Sequence, residues 1–299
     1  MKFITTGLVF TTVAVLAGCS LVTRAGIGLL YEKADLSASQ IVRALCYTSP
    51  SPCDTPRHTL DLYQPSGKTW PVIVFVHGGN WDSGDKNLRA GGADVYANIG
   101  RFYATRGIGV AVINYRLQPN VAWPAQVDDV RAAAAWIRGN IERYGGQPDR
   151  IFLMGHSAGA HLASLVALTS DRGVRGVIAV SGAALDLTDE QTYQLGADRD
   201  YYRARFQGDD RSEEWKRRAS PALFANAKAP PFLILYATGE TKALQRQSRV
   251  LHESLITAGA SSRLVPVQGE SHSRMVLALS RGDKTAAQAI VEFVGRVGG

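Results

Sequence analysis

The chain has 299 residues, 45% of them hydrophobic, which is enough to bury a full core in one large domain. Its 33 Lys and Arg residues against 26 Asp and Glu residues give a formal net charge of +7. The basic residues are dispersed and no nucleic-acid recognition motif accompanies them, so the composition argues against disorder and against a nucleic-acid partner.

The N-terminus has the pattern of a secretory signal peptide over residues 1–18. Lys2 precedes an apolar stretch, residues 3–16, that is shorter than a typical membrane span. The following Leu16-Ala17-Gly18-Cys19 resembles the lipobox of bacterial lipoproteins. This resemblance implies cleavage before Cys19, a lipid on that cysteine, and a membrane-anchored protein facing the periplasm or the cell exterior. An ordinary secretory peptide or a short uncleaved anchor is the alternative.

Residues 19–44 are interpreted as a lipidated tether with some helical character, because Ile27, Leu30 and Ala34 recur at helical spacing. The folded domain is then predicted over residues 45–299. Cys46 and Cys53 are close in sequence, and exported proteins occupy compartments where thiols oxidise. A disulfide between them is predicted, and two free thiols are the alternative.

Apolar, strand-like runs alternate with amphipathic, helix-like runs in the rest of the chain. The predicted strands are residues 59–63, 72–77, 109–115, 151–155, 174–181, 231–236 and 263–267. The clearest helix is predicted over 123–144, with Pro124 in its first turn and Gly145 at its end. This alternation predicts one α/β domain, with a mostly parallel sheet covered on both faces.

Residues 186–218 interrupt the alternation with a polar, charged segment that contains Tyr193, Tyr201, Tyr202 and Phe206. We expect an insertion over one end of the sheet, of the kind that often forms a lid. A solvated surface excursion held down by its aromatic residues is the alternative.

A serine pentapeptide, Gly155-His156-Ser157-Ala158-Gly159, joins a predicted strand to a helix-like run over 158–168. This context places Ser157 in a sharp strand-to-helix turn, where small neighbours are needed. The Ala158 amide would then lie at a helix N-terminus and point at a developing oxyanion. The alternative is a serine that only caps the helix.

A glycine-rich loop, His77-Gly78-Gly79-Asn80-Trp81, follows the predicted strand over 72–77. Its backbone amides can approach a ligand closely, so the amides of Gly79 and Asn80 are the predicted partners of the Ala158 amide in an oxyanion hole. Gly78 and His77 would support the turn. A plain turn is the alternative.

Four motifs together resemble the α/β-hydrolase superfamily, in its carboxylesterase branch akin to the hormone-sensitive-lipase group. They are HGGNW from 77, NYRL from 114, YGGQPDRIFLMGHSAGAHLA from 144 and GESH from 269. The region 129–168 is similar to isoprenylcysteine methylesterases, and ETKALQRQSR from 240 is similar to bacterial kynurenine formamidases. Asn80 departs from the third glycine that is common in the group, and its side chain is expected to narrow the acyl pocket.

The resemblance implies a base and an acid that follow Ser157 in the order acid, then histidine. Of the six histidines, His272 follows the last predicted strand in a small loop. His58 and His77 precede the serine, His156 and His161 adjoin it and are expected to pack locally, and His252 lies in a helix-like run. His272 is therefore the predicted base. The acid is expected beyond the strand at 231–236, where Glu240 stands in place of the usual aspartate. Asp186 or Asp189 is the alternative if Glu240 only caps a helix.

These residues predict a serine hydrolase that cleaves carboxylic esters of short acyl or small aromatic groups through an acyl-enzyme. The sequence has no HExxH motif, no Cys/His cluster with metal-ligand spacing, no P-loop and no GxGxxG after a strand, so no cofactor or metal is predicted. An amidase of the formamidase type and a non-catalytic envelope lipoprotein are the alternatives. The oligomeric state is left open.

Overall fold

A computed structural model describes residues 31–48, 53, 55–170 and 173–298. The predicted signal peptide, Cys19 and residues 20–30 of the predicted tether lie outside this part of the chain. None of the helices in the described ranges combines the length and apolar composition that a bilayer span requires.

Eight strands form one central sheet in the order β1-β2-β6-β3-β7-β8-β9-β10. The strands are β1 Ile41–Cys46, β2 Thr59–Tyr63, β3 Trp70–Val76, β6 Gly109–Ile113, β7 Gly146–His156, β8 Gly176–Val180, β9 Phe232–Ala237 and β10 Ser262–Val267. A separate small hairpin consists of β4 Arg89–Ala90 and β5 Ala93–Asp94. The pairs β1/β2 and β2/β6 are antiparallel. The strands β3, β7, β8, β9 and β10 run parallel to β6.

Helices follow most of the strands and cover both faces of the sheet. They are α1 Val95–Ala104, α2 Ala125–Asn140, α3 Ala158–Thr169, α4 Glu190–Gln194, α5 Arg199–Phe206, α6 Glu214–Arg218, α7 Lys242–Thr257, α8 Met275–Ala278 and α9 Thr285–Gly298. Successive residues of β3 show the two-sided burial: Ile73 and Phe75 pack with α1, whereas Val72 and Val74 pack with α2 and α3. The predicted α/β fold with a mostly parallel sheet is confirmed.

The N-terminal boundary of the domain differs from the prediction. The strand β1 includes residues 41–44, which were assigned to the tether, and Ile41 and Leu45 pair with Tyr63 and Leu60 of β2. Tyr31, Ala34 and Leu36 pack against the core as partly buried side chains. The folded domain therefore begins before residue 45, and β1 forms because β2 provides its partner strand.

Both outer strands of the sheet are irregular. The register of β1 shifts between Val42 and Leu45, and Ala44 within this shift has a φ of 53°. Pro266 lies within β10 and pairs with Tyr236 of β9, so this strand lacks one backbone donor. A disulfide joins Cys46 at the end of β1 to Cys53, with the two Cα atoms 5.4 Å apart.

Candidate active site

The loops that follow β3, β7, β9 and β10 contain the residues singled out in the sequence. Since these strands are parallel, their carboxyl ends meet at one edge of the sheet, and their loops converge there. Ser157 follows β7, the oxyanion loop, residues 77–81, follows β3, Glu240 follows β9, and His272 follows β10.

Ser157 lies in a strained turn between β7 and α3. Its φ of 56° and ψ of −120° are rare for a residue with a side chain. A Cβ atom on Gly155 would lie 2.1 Å from the Gly159 oxygen, and one on Gly159 would lie 2.1 Å from the Val76 oxygen. The tight crossing of β3, β7 and α3 therefore requires glycine at both positions and directs the serine hydroxyl out of the sheet edge.

The hydroxyl of Ser157, the imidazole of His272 and the carboxylate of Glu240 form a continuous chain. His272 Nε2 lies 3.0 Å from Ser157 Oγ, and His272 Nδ1 lies 3.1 Å from Glu240 Oε2. A carboxylate can only accept at Nδ1, so Nδ1 carries the proton and Nε2 is free to accept one from the serine. This arrangement is the geometry of a nucleophile, a general base and an orienting acid.

The alternative acids, Asp186 and Asp189, have other partners. The carboxylate of Asp186 accepts hydrogen bonds from the backbone and hydroxyl of Thr188. Asp189 caps α4 through Thr192 and pairs with Arg246 at 3.0 Å. Neither carboxylate is hydrogen-bonded to His272, so among these three acids the structure brings only Glu240 to the imidazole.

The Glu240 side chain is fully buried and is held by the neighbouring loop. The Gly239 amide donates to the Glu270 carbonyl at 2.9 Å, and this ties the acid loop to the histidine loop. The second carboxylate oxygen of Glu240 has no hydrogen-bond partner within the described ranges. The His272 imidazole is therefore the group that partners this buried carboxylate, which is the arrangement of an orienting acid.

The oxyanion loop presents free amides beside the serine. Gly79, Asn80 and Trp81 all have positive φ, at 119°, 56° and 64°. Within the described part of the chain, no hydrogen bond occupies the amides of Gly79, Asn80 or Ala158. Three such donors around one hydroxyl are what an oxyanion hole requires.

His77 and Gly78 support the turn at the start of this loop, as the sequence predicted. His77 Nδ1 donates to the Gly78 carbonyl at 2.6 Å, and the ring stacks on Tyr115 with a centroid distance of 4.3 Å. Burial lowers the pKa of His77 to about 4, so the ring is neutral near pH 7. A neutral His77 ring places no net charge next to the oxyanion loop.

A cavity of about 270 Å³ opens on the serine and the histidine. Its lining includes Asn80 and Trp81 of the oxyanion loop and Tyr201 and Tyr202 of α5. The segment 186–218 thus forms one wall of the catalytic pocket through α4 and α5. A larger cavity of about 730 Å³, lined by Trp123 and other residues, contains none of the three catalytic side chains.

Comparison with known protein families finds a match to the BD-FAE family over residues 60–255, about two thirds of the chain. The chain belongs to the BD-FAE family. The match spans β2 to α7 and includes Ser157 and Glu240, and it confirms the resemblance to carboxylesterases of the α/β-hydrolase type.

Curated relatives of this BD-FAE chain are named as esterases. Esterase LipQ of Mycobacterium tuberculosis is 31% identical over 247 residues, which cover 78% of this chain and 57% of LipQ. Probable isoprenylcysteine alpha-carbonyl methylesterase ICMEL1 of Arabidopsis thaliana is 31% identical over 252 residues, covering 75% of this chain and 50% of that protein. The chain thus spans only about half the length of these two relatives.

Solved esterase structures share the fold. Esterase B from Lactobacillus rhamnosis matches with a TM-score of 0.70 and 22% identity, covering 93% of this chain and 91% of its own. Carboxyl esterase 2 from Tuber melanosporum matches with a TM-score of 0.68 and 22% identity, covering 92% and 96%. At this identity the comparison establishes the α/β-hydrolase fold of the BD-FAE chain.

His156 contributes to the site of this BD-FAE chain in a way that the sequence analysis did not identify. Its Nε2 lies 3.0 Å from the His272 carbonyl, and the two rings are 4.8 Å apart. Burial, with a contribution from His272, lowers the pKa of His156 to about 3, so the ring is neutral and donates from Nε2. The sequence predicted only local packing, because nothing in the pentapeptide shows that its second residue reaches the loop after β10.

His161, which was also set aside as a packing residue, packs as expected. Its Nδ1 accepts from the Trp81 indole at 3.1 Å, and its Nε2 donates to the Ala219 carbonyl at 2.8 Å. Burial lowers its pKa to about 4. No group of three or more His, Cys, Asp or Glu side chains suited to a metal ion occurs in the ranges that the structure describes.

Proposed function

We propose that this protein is a serine hydrolase of carboxylic esters that works through an acyl-enzyme. The observation that carries the proposal is the chain of contacts from Ser157 through His272 to Glu240, next to three free backbone amides. Membership of the BD-FAE family and the esterase names of the relatives support the same chemistry.

The mechanism follows from the geometry. His272 Nε2 accepts the hydroxyl proton as Ser157 Oγ attacks the ester carbonyl, and the amides of Gly79, Asn80 and Ala158 hold the oxyanion. The imidazolium, stabilised by Glu240, then protonates the leaving alcohol and an acyl-serine remains. Water, deprotonated by His272, attacks the acyl-serine in the same way and releases the acid.

The substrate range is proposed from the size of the pocket. A cavity of about 270 Å³ with Asn80 and Tyr201 in its walls leaves room for a short acyl or a small aromatic group. We therefore propose small-molecule esters with acyl groups of this size as substrates, rather than long-chain lipids.

The test is hydrolysis of p-nitrophenyl esters from acetate to laurate by the full chain in mild detergent. Ser157→Ala is expected to lower kcat at least about 10⁴-fold on short esters, because nucleophile and base act as one unit. Ser273→Ala, an exposed serine one residue beyond His272, is the control and is expected to retain full activity. Turnover retained by Ser157→Ala would refute the nucleophile assignment, and hydrolysis of aryl formamides without ester hydrolysis would favour the amidase alternative.

We also propose that the protein is an exported lipoprotein, anchored to a membrane through Cys19 and facing the periplasm or the cell exterior. The support is Leu16-Ala17-Gly18-Cys19 in the sequence and the Cys46–Cys53 disulfide, which suits an oxidising compartment. Mass spectrometry of the N-terminal peptide should show a lipidated Cys19, and Cys19→Ser should move the protein from the membrane to the soluble fraction. An unmodified Cys19 would contradict the proposal.

A further inference from the structure

Arg205 of α5 binds the oxyanion loop directly. Its Nε donates to the Asn80 carbonyl at 3.1 Å, and its Nη2 pairs with the Asp82 carboxylate at 2.6 Å. The guanidinium also lies over the ring of Tyr201, 3.7 Å from its centroid. Only 18% of the Arg205 side chain is exposed, so these contacts are partly shielded from water and from salt.

Gln118 strengthens the same connection from a third segment of the chain. Its backbone amide donates to the Trp81 carbonyl at 3.0 Å, and its side chain donates to the Arg205 carbonyl at 2.7 Å. The carbonyls of Asn80 and Trp81 are therefore both held by groups outside the loop. The loop and α5 are joined through four hydrogen bonds or ion pairs that involve Arg205 or Gln118.

We propose that Arg205 is a positioning residue that aims the oxyanion amides at the reacting carbonyl; this inference rests on the proposed esterase function. The Asn80 carbonyl that Arg205 holds belongs to the peptide plane next to the one that contains the Asn80 amide. Fixing the first plane restricts the rotation of the second about the Cα of Asn80. The loop needs this restraint because Asn80 and Trp81 both have left-handed backbone conformations, which side chains disfavour.

The arrangement also couples the substrate pocket to the oxyanion hole. Tyr201 lines the pocket and stacks on Arg205, which in turn holds Asn80. A change in the position of α5 is therefore transmitted to the amides that stabilise the transition state. Through Arg205, the segment 186–218 would thus contribute to catalysis by restraining the oxyanion loop.

The first experiment compares Arg205→Ala, Arg205→Lys and Asp82→Asn with the wild type on p-nitrophenyl acetate. Loss of one oxyanion donor typically lowers kcat by 10²–10³-fold, so a donor that is only released from its restraint should cost about tenfold to 100-fold in kcat. KM for this small ester is expected to change less than about threefold, since Arg205 itself is not among the residues that line the pocket. Arg205→Lys should recover part of kcat, and Asp82→Asn should lose less than Arg205→Ala because the bond to Asn80 remains.

Arg203→Ala is the matched control. Arg203 lies on the same helix and pairs with Asp200 at 2.8 Å, but half of its side chain is exposed and it does not contact the oxyanion loop. This variant is expected to keep kcat within twofold. If Arg205 only secured the insertion, Arg205→Ala would raise KM with kcat unchanged, and that result would overturn the inference.

Hydrogen–deuterium exchange separates this inference from the proposed function. Arg205→Ala is expected to speed exchange of the hydrogen-bonded amides of Asp82 and Ser83, which both donate to the Gly79 carbonyl, at least about fivefold, whereas Arg203→Ala should leave these amides unchanged. Unchanged exchange in Arg205→Ala would overturn the restraint, whatever the ester assays show. A wild-type protein that is inactive on every ester would refute the proposed function, with the restraint still decided by exchange.

Discussion

At position 240 a glutamate stands where an aspartate is usual in this fold, and we propose that its longer side chain is the orienting acid. The Gly239 amide is tied to the Glu270 carbonyl, and a Cβ on Gly239 would lie 2.8 Å from that oxygen. The backbone therefore lies close against the histidine loop, and the carboxylate reaches His272 Nδ1 in the buried space behind it.

Glu240→Gln is expected to lower kcat about 10²–10⁴-fold while the protein stays folded. The amide keeps the shape of the side chain but removes the charge that stabilises the imidazolium. Steady-state kinetics on p-nitrophenyl acetate measure the effect. Asp189→Asn is the matched control for the alternative acid and should keep kcat within about threefold; a larger loss in Asp189→Asn than in Glu240→Gln would reverse the assignment.

His156→Phe is expected to lower kcat about tenfold with KM nearly unchanged. The phenyl ring preserves the contact with the His272 ring but leaves the His272 carbonyl without its donor, so the base is less well fixed. His156→Gln, which retains a donor, should recover part of the loss. A kcat within twofold of wild type in His156→Phe would show that the hydrogen bond does not position His272.

The sequence predicted Ser157 and His272 from local motifs and from their order along the chain, and the structure brings both together. The roles of His156 and Arg205 could not be predicted in this way. Each depends on a contact across more than 100 residues of sequence, from His156 to His272 and from Arg205 to Asn80. Neither contact leaves a periodic pattern or a motif in the chain.

At the scale of elements, the start of α3 is constrained by the backbone strain at Ser157 and by close packing at Gly159. The helix begins directly at Ala158 after the strained serine, and Gly159 faces β3 so closely that a Cβ atom added to it would lie 2.1 Å from the Val76 carbonyl oxygen. This close packing places the N-terminus of α3, and with it the Ala158 amide, beside the oxyanion loop.

Gly159→Ala is expected to destabilise the protein by about 3 kcal/mol or more and to impair activity, because the added methyl group would overlap the Val76 carbonyl. Urea unfolding followed by circular dichroism measures the change. Gly295→Ala is the matched control, since Gly295 lies in α9 with nothing within 4 Å of an added Cβ. That control should raise stability by up to about 1 kcal/mol; equal effects of the two substitutions would contradict the packing argument.

The strands of the central sheet after residue 58 were predictable because each carries its own apolar pattern. Residues 72–76 are uniformly apolar, as expected for a strand buried on both faces, and β3 occupies Trp70–Val76. The strand β1 was missed because its residues show neither alternation nor a turn signal before them. Its conformation depends on pairing with β2, which is tertiary context that propensity does not contain.

At the scale of the whole molecule, three buried histidines make stability depend on pH. Burial lowers the pKa of His77 to about 4, of His156 to about 3 and of His161 to about 4. In the unfolded chain a histidine has a pKa of about 6.5. Between that pH and the lower pKa values of the folded protein, the unfolded state therefore binds protons that the folded state does not bind. The contribution of the three neutral rings to the free energy of unfolding is therefore fully present above about pH 6.5. It is lost as the pH decreases toward the pKa values of the folded protein.

The free energy of unfolding is expected to fall by about 1–2 kcal/mol for each of these histidines between pH 7 and pH 5. Urea unfolding at the two pH values measures this loss. His161→Gln, which can still accept from Trp81 and donate to Ala219, should reduce the pH dependence by about one third. Equal stability at pH 7 and pH 5 would mean that the three rings are not held neutral by burial.

The two outer strands, β1 and β10, determine whether the sheet can form backbone hydrogen bonds with a second protein molecule. Pro266 removes a backbone donor from β10, and the register shift at Ala44 bends the ladder of β1, where the Ala44 amide donates to the Asp61 carboxylate. Neither strand therefore offers an unbroken row of donors and acceptors to a second chain. Intermolecular β-pairing, and the aggregation that follows from it, is then expected to require partial unfolding first, even at high protein concentration.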